Sequence, residues 1–201
     1  MAQAANLPAV QQPTAVAPIP QRAAPLSMDD MAAGSITVDA WLGVKDVGFI
    51  VGPAKKIYLE PIKVQIDLVA VAPCFAVKFG NPATYYKTYD HVTEARGGSW
   101  AEALAKASRV DPNAREYRSA DIPMRLMETI SIKNETIHEV GVTLGYSLST
   151  TNWGAWEAFY KECLKSGFAG QTVNVELNFE PKTNAKGNRW GIITFKRIAD
   201  A

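Results

Sequence analysis

The chain has 201 residues, 47% of them apolar and 20% charged, with 21 Lys and Arg against 20 Asp and Glu. That length supports a real hydrophobic core and one domain, alone or with an appendage. Two cysteines, Cys74 and Cys163, make neither a disulfide framework nor a four-cysteine zinc site, and a net charge of +1 excludes a uniformly basic protein. Any site for a polyanion must therefore be local. No run approaches the roughly 18 apolar residues of a membrane span, so no membrane partner is expected.

The first 25 residues hold eight Ala, five Pro, four Gln and the single charge of Arg22. Prolines at 8, 13, 18, 20 and 25 stop helices and remove strand donors. The pattern predicts a disordered, partly polyproline-like tail over residues 1–30 and a single β-barrel-like domain over 31–201. No basic stretch precedes an apolar core, and the cysteines are unpaired, so the expected location is the cytoplasm.

From Ser35 the texture is β-rich. Ile36 to Val51 reads as a strand pair punctuated by Gly43 and Gly48. Ile62, Val64, Ile66 and Leu68 alternate with Lys63, Gln65 and Asp67, the period of a half-buried strand. Cys74–Phe79 predicts another. Ser99 and Glu102 form a capping-box pattern before a helix over Trp100–Arg109, which Asp111 and Pro112 close. The block at about 80–123 is too long for a hairpin loop and reads as an insertion. Strands are expected near Met124–Ile132 and Val140–Leu148. A helix with Trp156, Phe159, Tyr160, Cys163 and Leu164 on one stripe follows, with Gly167 at its end. Thr172–Phe179 and Trp190–Ile198 predict a terminal hairpin around a polar turn at 181–188. The sum is about seven strands and two helices: mainly β, a β-rich α+β chain.

Enzyme constellations are missing. No glycine-rich phosphate loop, dinucleotide fingerprint or Gly-x-Ser-x-Gly elbow is present. His91 and His138 lack a partner at metal-ligand spacing, and Cys74 and Cys163 sit in apolar patterns where cysteine is a small core residue. No catalysis, metal or cofactor is expected.

Two local features point to chemistry. Tyr85, Tyr86, Lys87 and Tyr89 follow a Gly-Asn-Pro turn, and strand alternation puts Tyr85, Lys87 and Tyr89 on one face. Aromatic faces stack on unpaired bases while a nearby cation neutralises phosphate. The alternative is that the rings cover the core and turn their hydroxyls to water. In the terminal hairpin Lys182, Lys186, Arg189, Lys196 and Arg197 face only Glu180, and Trp190 follows Arg189. This is either a backbone-tracking loop or an ordinary solubilising turn.

The helix Trp153–Gly167, the hairpin strands Thr172–Phe179 and Trp190–Ile198, and the loop 182–188 together resemble the closing half of an oligonucleotide-binding (OB) barrel. They resemble in particular the single-stranded-DNA-binding proteins of phages and plasmids. The resemblance implies an OB-like barrel with two helices that binds single-stranded nucleic acid, in the host cytoplasm if phage-encoded. Tyr85, Tyr86, Tyr89 and Trp100 or Trp190 would stack bases, and Lys87, Lys182, Lys186 and Arg189 would meet phosphates. The rival expectation is a structural or assembly protein, such as a virion component, whose N-terminal arm docks a protein partner or a second copy of the chain. A third is a carbohydrate-binding sandwich using the same rings.

Overall fold

In a computed structural model of the chain, the described residues are 36–199, and the expected tail over 1–30 lies outside them. Two short strands come first, β1 (Ala40–Trp41) and β2 (Gly43–Lys45). With β3 (Gly48–Val51) and β4 (Lys56–Tyr58), β2 forms a three-stranded antiparallel sheet. Gly48 has φ +144°, and a Cβ there would meet the Tyr58 carbonyl at 2.9 Å, so only glycine fits the β2–β3 corner.

The remaining elements are β5 (Ile62–Asp67), β6 (Ala72–Phe79), β7 (Thr84–Thr88), α1 (Trp100–Val110) and β8 (Glu116–Leu126). They are followed by β9 (Ile130–Ile132), β10 (Glu135–His138), β11 (Thr143–Ser147), α2 (Thr150–Lys165), β12 (Thr172–Thr183) and β13 (Arg189–Arg197). The mainly-β class holds. The strands are shorter and more numerous than the seven expected, because Met127–Thr129 divides the run Met124–Ile132 into β8 and β9, and β10 forms after the Lys133-Asn134 turn where no strand was expected.

The main sheet runs in the order β1-β11-β8-β5-β12-β13, with β6 also on β8 and β7 on β6. The expected closed OB-like barrel is not formed: among the described residues no ladder joins β13 back to β1 or β2. Where closure would occur, the Lys45 carbonyl lies against Gly191, so close that a Cβ there would stand 2.2 Å from it. The outer edge of β13 is instead satisfied by a side chain. Buried Asn152, in the first turn of α2, accepts from the Ile193 N–H at 2.7 Å and donates to the Gly191 carbonyl at 3.4 Å. It does for that edge what a neighbouring strand would do.

The block at 80–123 is not an insertion outside the sheet. Its end is β8, a strand paired on both edges, with β11 on one side and β5 and β6 on the other. Its polar letters mislead because Arg118, Ser119 and Asp121 lie where the sheet does not face the main core. Pro123 inside this central strand has a specific place. Leu126 bonds to Gly141 and Val142 and Ala120 to Leu148, at the two ends of β11, whereas Met127, just past β8, bonds to Lys63 of β5, so odd-numbered residues of β8 face the β5–β6 edge. There the chain from Ile66 to Ala72 runs opposite only Met124 to Asp121. Pro123 meets that break, where no acceptor awaits its missing N–H.

Two cores result. The main one joins Val64, Ile66, Ile122, Met124, Leu144, Val175, Leu177 and Ile193 with Trp156 and Phe159 of α2. Each such side chain contributes roughly 1.5–3 kcal/mol by leaving water. The second packs Trp100, Ala103 and Ala107 of α1 on Val77 and Phe79 of β6, making a wing of β6, β7 and the start of β8. The capping box expected at Ser99 and Glu102 is not made, since the Ser99 side chain bonds no backbone N–H; burial of the alanine face on the wing holds α1 instead. No helix among the described residues is long and apolar enough to cross a membrane.

Replacing Asn152 with Ala strands the Ile193 N–H and the Gly191 carbonyl. The expected loss is about 1–3 kcal/mol of stability, read as a lower urea midpoint with an unchanged slope.

Candidate functional site

Sheet pairing places side chains of distant segments on one surface. Lys78 pairs with Tyr85, Ala76 with both Lys87 and Tyr117, Cys74 with Ser119, and Asp121 with Ser147. Paired residues share a face, so β7, β6, β8 and β11 present tyrosines, lysines and hydroxyls together, opposite the face that α1 covers. This surface is one wall of a cleft of about 600 Å³. A second wall is the segment from Trp41 to Asp46, along β1 and β2. The third is the first turn of α2, with Ser149 and Thr151, and the start of β13, with Arg189, Trp190 and Gly191.

Of the residues expected from the sequence, Tyr85, Lys87, Arg189 and Trp190 meet in this cleft. The tyrosine cluster and the basic hairpin therefore share a site, although only the base of the hairpin reaches it. Tyr85 is 51% exposed, with the Lys78 ammonium 5.9 Å from its ring centre. Arg189 stands 3.9 Å from Asp46, the one acid on the cleft wall.

The other expected residues are placed elsewhere. Tyr86 points to the opposite face, 4.9 Å from Phe79, with the Arg96 guanidinium 5.1 Å and the Lys106 ammonium 5.8 Å from its ring. Trp100 is 3% exposed in the α1 core and donates its indole N–H to Glu116 at 2.7 Å, which leaves no face for a base. Tyr89 is half-buried and donates its hydroxyl to Asp121 at 2.5 Å. Lys182 pairs with Glu180 at 2.7 Å, and Lys186 sits at the hairpin tip, beyond the cleft wall.

Lys87 also departs from its expected role. Its ammonium bonds both oxygens of Asp121, at 2.6 and 2.8 Å, and Ser147 Oγ at 3.0 Å. Asp121 is 1% exposed and takes further hydrogens from Ser147 at 2.6 Å and from Tyr89. The charge of Lys87 is thus matched inside the protein.

Four residues of the cleft escaped the sequence reading. Trp41, 50% exposed, reached it through parallel pairing of β1 with β11, a long-range contact that no local pattern announces. Lys45 follows with it on β2. Lys78 was readable in principle: Val77 and Phe79 are buried, so alternation turns Lys78 to the other side. Tyr117 carried the same signal through Tyr117-x-Ser119-x-Asp121, once the segment is read as a strand.

Burial shapes the chemistry below the surface. It pushes the Cys74 thiol up to about 11, with the Asp121 charge adding to the effect. Tyr117 is raised to about 12, first by burial and then by Tyr85, and Tyr89 is raised by burial and by its bond to Asp121. These groups are protonated and unreactive near neutrality. Among the described residues, no three of His, Cys, Asp or Glu gather as metal ligands would. Compared with known proteins, the chain matches no family model, no curated protein and no solved structure.

A pH dependence follows with a definite sign. Cys74 ionises near 9.0 when unfolded and near 11 when folded, and Tyr117 near 10.0 and 12. Their contribution is complete below pH 9 and is lost as pH rises through 11 to 12. Urea midpoints should be flat from pH 7 to 8.5 and fall above pH 9, with Cys74→Ala delaying the onset.

Proposed function

We propose that the cleft binds single-stranded nucleic acid and catalyses no reaction. What supports this is the meeting, from three distant parts of the chain, of aromatic faces with cations at the rim, Lys45 and Lys78 being exposed and Arg189 lying 3.9 Å from Asp46. Trp41, Tyr85 and Trp190 supply surfaces on which unpaired bases stack, worth about 1–3 kcal/mol per base. Lys45, Lys78 and Arg189 stand around them as phosphate contacts. Serine, threonine and tyrosine hydroxyls between the rings hydrogen-bond sugars or base edges without demanding one sequence. The net charge of +1 fits such a site, because attraction is confined to one wall of the molecule instead of spread over it.

Binding of labelled oligo-dT and oligo-U, followed by anisotropy, tests the reading. Three phosphate contacts give a slope of log K against log salt of about −2, so affinity should drop about 20-fold between 50 and 200 mM salt. Trp41→Ala should weaken binding by about 1–3 kcal/mol. Lys186→Ala should leave it within a factor of about two, because that side chain lies beyond the cleft. Absence of salt-sensitive binding at micromolar protein sinks the proposal.

A further inference from the structure

We infer that Lys87 is a positioning residue and not a phosphate contact: held by Asp121 and Ser147, it sets the Trp41 ring as the stacking platform that makes the cleft select unpaired bases. The inference deepens the nucleic-acid reading above and rests on it for the ligand.

The geometry of Lys87 leaves little to offer a ligand. An ammonium has three hydrogens, and three acceptors already stand within 3.0 Å of it. Turning it toward a phosphate would leave the Asp121 carboxylate, 1% exposed, without its counter-charge. What Lys87 does reach is Trp41, whose ring centre lies 5.8 Å from its Nζ, within the range of a cation–π contact.

Backbone bonds on either side of Trp41, from the Asp39 N–H to the Thr143 carbonyl and from the Leu42 N–H to the Gly145 carbonyl, fix the chain of β1 but not the direction of the ring. The strand has two residues, pairing Ala40 with Leu144 and Trp41 with Gly145. The ring is located from its sides. A Cβ on Gly145 would meet two Trp41 ring carbons at 2.9 Å, so the indole rests on bare backbone there. Lys87 supplies the other support. Half of the tryptophan surface stays open to solvent, as a stacking platform requires. Such a platform discriminates by availability of the base face: an unpaired base offers one, a base inside a duplex has both faces occupied, and a chain of abasic sugar phosphates has none.

The test compares full-length wild type, Lys87→Met and the double variant Lys87→Met/Asp121→Asn, the last removing both charges of the ion pair so that no buried carboxylate is left without its counter-charge. The probes are oligo-dT, an abasic oligomer of equal length and a blunt duplex. Wild type should prefer oligo-dT to the other two by at least about tenfold. In both variants oligo-dT affinity should fall about tenfold, abasic binding should stay unchanged, and the salt slope should be the same as in wild type. A fall in both affinities with a slope smaller by about one would make Lys87 a phosphate contact and overturn the inference. A duplex bound as tightly as oligo-dT would overturn the selectivity. Fluorine NMR of 5-fluorotryptophan protein, with the Trp41 resonance identified by Trp41→Phe, reads the positioning without any ligand. That resonance should move in the double variant; if it stays in place, positioning is refuted. If wild type binds no oligomer while the resonance moves, the nucleic-acid reading and the selectivity fail and only the support of Trp41 by Lys87 stands.

Discussion

A single buried carboxylate holds the site together. Asp121 lies at the middle of β8 and takes hydrogens from Lys87 of β7, Tyr89 just beyond it and Ser147 of β11. One side chain thereby ties the wing to the main sheet across three strands. A carboxylate buried to this degree is tolerated only when charge and hydrogen bonds answer it, and removing one partner typically costs about 3–5 kcal/mol. The network costs the cleft a free cation, since Lys87 is committed to it. In exchange the Asp121 carboxylate beneath Trp41 is fully partnered, and Lys45 and Lys78 remain the exposed lysines of the rim, with Arg189 beside Asp46.

Local chemistry made much of the fold legible. The alternation of Ile62, Val64 and Ile66, the apolar stripe through Trp156 and Phe159, and the terminal hairpin all appear where their periods place them. These signals depend on near neighbours and on one buried face. What was not legible depends on partners far along the chain. β8 looks like a polar connection because its residues from Tyr117 to Asp121 turn one side to a hydrated cleft, so the hydrophobic pattern that betrays a central strand is halved. The helix start at Ser99 shows the opposite error: a pattern that fits a capping box, while packing of Ala103 and Ala107 does the stabilising.

The site divides the same way. Tyr85 and Arg189, picked out by the density of aromatic and basic residues around them, line the cleft, whereas Tyr86, Trp100 and Lys186, picked out with them, lie outside it. A cluster in sequence says which residue types are near, and the strand's pleat then sends them to opposite faces. Tyr85 and Tyr86 are adjacent letters, yet one looks into the cleft and the other into the seam beneath α1. Trp41 shows the complement, an isolated ring that becomes central only when β1 lies beside β11.

The break opposite Pro123 gives the molecule a fold line. On one side of it β8 pairs with β6, which packs into the small core under α1 through Val77 and Phe79; on the other it pairs with β5, which packs into the large core under α2 through Val64 and Ile66. The wall bearing Lys78 and Tyr85 and the wall bearing Arg189 and Trp190 are thus anchored in separate hydrophobic interiors. Changes of side-chain volume around Ala103, Ala107 or Val77 act on the first wall through its own core, against the tie that Asp121 makes to the main sheet. The width of the cleft is in this sense a trait that drift or design adjusts from behind, through residues that never touch what the cleft holds.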